Sequence, residues 1–291
     1  MAQTHVDIEH LKRARKRRDY GAIAITIFLS IGALVSLLPL VYLVCHAFKP
    51  MEELFLYPPR FFVKSPTTKN FSDLMNITSE SLVPFSRYLF NTILITVAYL
   101  FLLVWIGTMA CYPLSKHKFP GQKALFTTVT TALMFVAAAA GIPLYIINTR
   151  LGLVDRYWVY IVPGLANPTC LFLLKQFLDQ VPDSIFEAGK IDGASEWQLY
   201  TRIALPLLRN AQATVVILTF GGIWGDAGTA TTYIYREQLK TLAFFMTTIG
   251  GGIARAGAQA ASALIMVLPG IIMFILQQSR VMDTMAHSGI K

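Results

Sequence analysis

Long stretches without a charged side chain alternate along this sequence with short polar ones, and the lengths of the apolar stretches set the first expectation. Residues 21–47 contain no Asp, Glu, Lys or Arg. Coiled into a helix rising about 1.5 Å per residue, such a run crosses a hydrocarbon layer of roughly 30 Å. Runs of similar character occupy 88–112, 124–148, 158–174, 211–224 with its continuation, and 258–277, so six membrane-spanning helices are expected. The fourth and fifth runs are interrupted by Pro163, Pro168 and the Gly221-Gly222 pair. A spanning helix tolerates such breaks where neighbouring helices or water satisfy the freed backbone groups. The expected fold class is an all-α polytopic membrane protein.

Composition agrees, with 55% hydrophobic and 14% charged residues against roughly 25% charged in soluble domains. A basic stretch followed by an apolar one also describes a secretory signal. The first run exceeds the about 7–15 residues of a signal core, and no small-x-small site follows it before Lys49, so an uncleaved helix is expected. Val44 is bulky for a lipoprotein cleavage point ahead of Cys45. Orientation follows from basic residues, which cytoplasmic loops retain in excess. Lys12, Arg13, Arg15, Lys16, Arg17 and Arg18 precede the first helix, which puts the tail in the cytoplasm, and six crossings return the C-terminus there. Segment 113–123, with Lys116, Lys118 and Lys123, then falls inside; segment 49–87, with Glu52, Glu53, Asp73 and Glu80, falls outside. Topology and anionic lipid headgroups account for the basic tail, so no nucleic-acid partner is expected, and the net charge of +9 says little about partners.

Catalytic chemistry finds little footing. Cys45, Cys111 and Cys170 form no C-x-x-C pair, and His5, His10, His46, His117 and His287 have no ligand spacing, so no metal site is expected. There is no G-x-S-x-G elbow and no G-x-x-x-x-G-K-[ST] phosphate loop. If ATP is used, another chain must bind it.

The polar stretch 175–210 lies inside by this topology and reads as two short helices. Pro182 supplies a start, and Ser184 with Glu187 has the spacing of a capping box, as do Ser195 and Gln198. Between them Asp192-Gly193-Ala194 offers a glycine that ends the first helix and turns the chain into the second. Ile185, Phe186, Ile191, Trp197, Tyr200 and Ile203 give this knob more apolar surface than a solvated loop exposes. Either it is a docking surface or these residues pack back on the membrane domain. Glu187 has the same choice between a docking contact and a local cap.

The residues of this loop resemble the EAA pattern of the membrane subunits of bacterial ABC importers. Glu187-Ala188-Gly189 is followed by three residues, Gly193, nine residues, Ile203, and after Ala204 the pair Leu205-Pro206. Leu151-Gly152-Leu153, Tyr157-Trp158, Pro163 and Val181-Pro182 are similar to the carbohydrate branch, of maltose-system permease type. Departures are Gly189 at the third position, where the family has alanine, and Asn210, where many relatives have proline. Trp224-Gly225-Asp226 is close to a tryptophan-asparagine-aspartate arrangement, whereas 228–234 and Gly250 to Gly252 are unlike common sugar permeases.

The resemblance implies a permease subunit of a binding-protein-dependent importer in the bacterial inner membrane, with carbohydrate or oligosaccharide as substrate class. It divides the chain into a basic cytoplasmic tail (1–20), a six-helix permease domain (21–280) containing a coupling loop (180–208), and a cytoplasmic C-terminal tail (281–291). It implies cytoplasmic ATP-binding subunits holding ATP and Mg, with no cofactor in this chain, a second permease subunit, homologous or identical, an extracellular or periplasmic solute-binding protein, and membrane lipid around the helices. Glu187, Ala188, Gly189, Asp192, Gly193, Ala194, Ile203, Leu205 and Pro206 become the ATPase-coupling residues. Glu187 then accepts a bond from a basic ATPase residue, and Ala188, Gly189 and Ala194 allow close approach. Segments 49–87 and 225–257 become candidates for meeting the binding protein, and Tyr145, Asn148, Asn167 and Trp224 for lining the pathway; Asp226 is an outer gate or an interfacial residue. An ion-gradient transporter is the main competitor, but it calls for ionisable residues within its spans, and these runs nearly lack them; a noncatalytic scaffold is the other.

Overall fold

The computed structural model describes residues 20–79, 83–135, 140–249 and 255–288. The basic tail from Lys12 to Arg18, Glu80, the Gly250 to Gly252 run and the last residues from Gly289 lie outside them. Helices form throughout, with no strand among the described residues.

Helix α1 (Tyr20–Ala47) stands apart, every side chain from 21 to 39 being exposed. So much unburied apolar surface is sustainable only with lipid as the solvent. Two of its hydroxyls are satisfied within the helix: Thr26 Oγ1 donates to the Ala22 carbonyl at 2.8 Å and Ser36 Oγ to that of Gly32 at 2.9 Å. Helices α2 (Met51–Leu54) and α3 (Lys69–Ser79) lead to α4 (Phe85–Lys116), the central helix of the bundle. Then follow α5 (Gln122–Leu133), α6 (Gly141–Arg150), α7 (Trp158–Leu165) and α8 (Pro168–Asp179). Helix α9 (Asp183–Ile191) and α10 (Glu196–Leu207) precede α11 (Arg209–Trp224), α12 (Gly228–Tyr233), α13 (Leu242–Thr248) and α14 (Ala256–Ser288).

Among the described residues three helices, α1, α4 and α14 to Gln278, are each long and apolar enough to cross a membrane. The pairs α7–α8 and α10–α11 are bent by 46° and 65°, and raise the number to five if each pair is one span. The remaining expected span, 124–148, falls on α5 and α6, with residues 136–139 outside those described. The break expected at Pro168 sits where the sequence placed it, whereas the one expected at Gly221-Gly222 does not: those glycines lie within α11, and the bend falls at Leu208, just after Pro206. At the first, Asn167 is held extended ahead of Pro168, and its Oδ1 accepts the Cys170 N–H at 3.0 Å, capping α8.

Two clusters form the core. Leu103, Cys111, Leu174, Leu178, Leu199 and Leu208 join α4, α8, α10 and α11. Toward the other end of α4, Leu74, Phe85, Tyr88, Leu242 and Phe245 join α3, α4 and α13. There the buried Asn91 ties down the stretch after α11: its Nδ2 donates to the Gln238 and Lys240 carbonyls, both at 2.8 Å, and Oδ1 accepts from Tyr157 at 2.8 Å. Asp155, at φ +58°, receives the Tyr235 and Arg236 N–H groups and the Arg236 Nε, the last at 2.7 Å. Segment 225–249 is thus clasped onto α4 and the loop before α7.

Candidate functional site

The knob is built from local signals. Val181-Pro182 starts it, with Pro182 itself in the N-cap position and Asp183 in the first turn of α9. Pro182 makes no side-chain cap, and the expected Ser184–Glu187 box does not form. With the helix beginning at Asp183, Ser184 is already inside its first turn, and the N-cap residue, Pro182, has neither a capping side chain nor an N–H for Glu187 to accept. The second box does form: the Ser195 N–H donates to Gln198 Oε1 at 2.8 Å and the Gln198 N–H to Ser195 Oγ at 3.3 Å. Between the boxes the Ala194 N–H donates to the Gly189 carbonyl and the Gly193 N–H to that of Lys190, both at 3.0 Å. This is a Schellman motif, and Gly193 holds its left-handed position at φ +80°.

Gly189 has a steric reason. A methyl group there would stand 2.6 Å from Leu199 Cδ2 and 3.1 Å from Ile203 Cδ1. The departure from alanine therefore lets α9 lie close on α10. Its cost in intrinsic helix stability, up to about 1 kcal/mol, is offset by packing against the fully buried Leu199.

The inner side of the knob is fastened to one end of α4. Lys116 Nζ donates to Asp183 Oδ1 at 2.8 Å and to the Val181 carbonyl at 2.6 Å, and lies over the Phe186 ring. The hydrogen bond and charge of Lys116 hold the Asp183 carboxyl below its ordinary range. Glu196 collects three partners: Tyr112 Oη donates to Oε2 at 2.8 Å, Lys190 Nζ lies 2.9 Å from Oε1, and His117 Nε2 lies 3.3 Å from Oε2. One turn deeper, the Tyr200 and Thr108 hydroxyls are 2.9 Å apart. Sequence reasoning missed Glu196, Tyr112 and Thr108. The signal for Glu196 was an acid just after a glycine turn on a knob facing the Lys116-His117 end of a span, but its partners lie too far away in sequence for spacing to pair them.

The apolar residues of the knob divide between the two open readings. Phe186, at 4% exposure, and Tyr200 point inward, and Ile203 and Ala194 are half-buried against the core. Ile191 is 86% exposed and Trp197 59%, with Ile185 also outward. Glu187, Ala188 and Asp192 are exposed, and Glu187 has no ion pair among the described residues.

Beyond the knob the chain re-enters the bundle through a π-helical stretch, Tyr200–Ala204, in which the Leu205 N–H reaches back to the Tyr200 carbonyl. Pro206 follows, without an N–H and with a ring that crowds the preceding turn. The 65° bend comes next, and Gln212 Nε2 donates to the Leu205 carbonyl at 3.2 Å, satisfying a group the bend leaves open.

Of the expected pathway residues, Asn167 reaches a cavity of about 370 Å³ between the two broken spans, where Tyr99, Tyr160, Thr219 and Asp226 also lie. Asn148 is 2% exposed and lines no part of that cavity. Trp224 is buried and donates to the Met266 carbonyl at 2.9 Å, an interhelical tie to α14. Tyr145 stacks on Tyr233 and shares a 3.1 Å hydroxyl contact with Tyr235. Asp226 Oδ1 accepts the Thr229 N–H of the first turn of α12 at 3.0 Å.

The class this architecture defines is a polytopic helical membrane protein with bent spans and a projecting two-helix knob. Residues 11–279 match the family described as binding-protein-dependent transport system inner membrane component, and the chain belongs to that family. It is similar to the inner membrane ABC transporter permease protein YcjP of Escherichia coli K12, 25% identical over 281 residues covering 96% of this chain and 99% of that one. It is also similar to the diacetylchitobiose uptake system permease protein NgcG of Streptomyces coelicolor, 26% identical over 73% of this chain and 69% of that one. In fold it resembles a chain of a bacterial ABC transporter involved in import of the acidic polysaccharide alginate, with a TM-score of 0.76 at 19% identity, covering 91% of this chain and 97% of that one.

Proposed function

We propose that this membrane component serves the import of a carbohydrate or oligosaccharide, that its α9–α10 knob docks on a separate ATPase subunit holding ATP and Mg, and that a second, homologous permease completes the channel. The carbohydrate class is supported by relatives named for diacetylchitobiose uptake and by a fold neighbour from an alginate importer. In this reading both chain ends are cytoplasmic. Segment 1–20 is the basic tail, 21–280 the permease domain with its coupling loop 180–208, and 281–291 the C-terminal end; a solute-binding protein meets the opposite side.

The observation that carries the docking reading is the division of the knob. Its inner side is fixed to α4 by Lys116–Asp183 at 2.8 Å and Tyr112–Glu196 at 2.8 Å, while Glu187, Ile191 and Trp197 face outward. Closure of an ATPase dimer would move the two knobs together, and α4 would carry that movement into the membrane. Moving a two-state channel decisively takes about 5.5 kcal/mol, shared between ATP binding and the docked binding protein. A charge-assisted bond from an ATPase residue to Glu187 would contribute about 1.5–3 kcal/mol to docking.

The test is purification of wild type beside Glu187→Arg in mild detergent from the native membrane, with identification of co-purifying chains. An ATPase and a second permease accompany the wild type, and ATPase recovery falls at least about tenfold in the variant. If no ATPase accompanies the wild type even after gentle cross-linking, the docking proposal is wrong.

A further inference from the structure

A second cavity, of about 580 Å³, lies between α4, the α10–α11 bend and α14, on a side of the bundle separate from the Asn167 cavity. Its lining is graded along the helix axes. Helix α4 runs toward the knob and α11 runs away from it. At about 1.5 Å per residue, Thr108 stands about 12 Å short of Lys116 along α4 and Leu100 about 24 Å short. The lining near the knob is therefore Thr108, Arg209, Gln212 and Gln277, and the lining deeper in the bundle is Leu100, Phe101 and Val216. Gln277 belongs to the polar end because α14 runs antiparallel to α11, with Trp224 bonded to Met266 and Phe220 beside Gly270.

Arg209 is exposed and has no ion pair among the described residues. Trp105 also lines the cavity and is half-exposed, and tryptophan is enriched near membrane interfaces. A lone cation at interface depth above an apolar groove is complementary to an anionic headgroup with an acyl chain below it. We propose that this cavity binds one anionic phospholipid, its phosphate against Arg209 and Gln212 and one chain along Leu100, Phe101 and Val216. Leu205 also lines the cavity, and Thr108 holds Tyr200 of the knob. The lipid thus packs against the bend that joins knob to bundle. This assignment rests on membership of the membrane, not on docking of an ATPase, so the two proposals fail separately.

The test uses the full chain in nanodiscs of equimolar phosphatidylcholine and phosphatidylglycerol, with native mass spectrometry of the lipids retained on release into detergent. Wild type retains phosphatidylglycerol preferentially. Arg209→Gln lowers that preference at least about tenfold, Val216→Trp lowers retention of both lipids by filling the groove, and Lys123→Gln changes neither. An undiminished preference in Arg209→Gln overturns the proposal. So does displacement of the retained lipid by inorganic phosphate alone, which would mean a bare anion site. Cross-linking of Val216→Cys to a second permease in place of a photoreactive phosphatidylglycerol would overturn it too, by giving the groove to a protein.

Discussion

Gly193 is fixed by backbone conformation, since at φ +80° an added side chain meets no atom within 4 Å and the penalty is the left-handed geometry. That penalty is about 1–2 kcal/mol for an ordinary residue, smaller for asparagine and larger for a β-branched one. Thermal unfolding in detergent should therefore rank wild type above Gly193→Asn, and that above Gly193→Val; equal midpoints for the two variants would show that the turn relaxes. Asp183 gives a prediction with a sign. Its carboxyl is held below its ordinary value by the hydrogen bond and charge of Lys116. A depressed carboxylate stabilises the fold above its unfolded pKa of about 3.9, and that contribution is lost as the pH falls through the lower, folded value. Asp183→Asn should melt below wild type at neutral pH, by a small margin because the carboxylate faces solvent. The gap should close as the pH is taken below 4. A gap that persists unchanged in acid would assign the effect to shape alone.

At the scale of elements, the bend between α10 and α11 gathers three features: the π-helical turn at Tyr200–Ala204, the missing donor of Pro206, and the Gln212 side chain on the Leu205 carbonyl. Pro206→Ala restores an N–H and removes the ring, so a regular helix becomes accessible and the 65° angle should open. Spin labels at Arg202 and Leu218, measured by pulsed electron resonance, should move apart; an unchanged distance would locate the cause of the bend in tertiary packing. Proline and long charge-free runs made α1, α4, α14 and the break at Pro168 legible in the sequence, whereas the second break was expected at Gly221-Gly222 and falls at Leu208. The Ser195–Gln198 box and the Gly193 turn were equally legible, because capping and left-handed turns are decided by residues within four positions of each other. The Ser184–Glu187 spacing misled because the helix begins at Asp183, ahead of the position that box requires. The need for Gly189 was invisible, since Leu199 and Ile203 enforce it from a separate helix. The run 124–148 falls on α5 and α6, with residues 136–139 between them outside those described.

For the whole molecule, the decisive feature is that α4 carries polar fastenings at both ends. At one end Thr108, Tyr112 and Lys116 hold the knob; at the other Asn91 and Thr92 hold the segment before α13, Thr92 Oγ1 accepting the Leu242 N–H at 2.8 Å. A helix of 32 residues spans about 48 Å, so neither fastening touches the other, and any coupling must pass through the helix and the two cores around it. Local opening is governed by the contacts of each region, which makes hydrogen exchange the discriminating measurement. Asn91→Leu leaves the Gln238 and Lys240 carbonyls without their donor and removes the acceptor of Tyr157. Exchange should rise across 237–245 while 183–204 keeps its protection. Glu196→Leu strips Tyr112, Lys190 and His117 of a shared partner, and the pattern should reverse. The buried group left unsatisfied at Asn91 costs about 1–3 kcal/mol per lost bond, whereas the half-exposed Glu196 can be replaced in part by water, so the first change should raise exchange more than the second. If either variant deprotects both ends together, α4 transmits the disturbance along its length as one rigid body. The two ends would then belong to a single cooperative unit, and a push on the knob would reach the opposite face without a hinge in between.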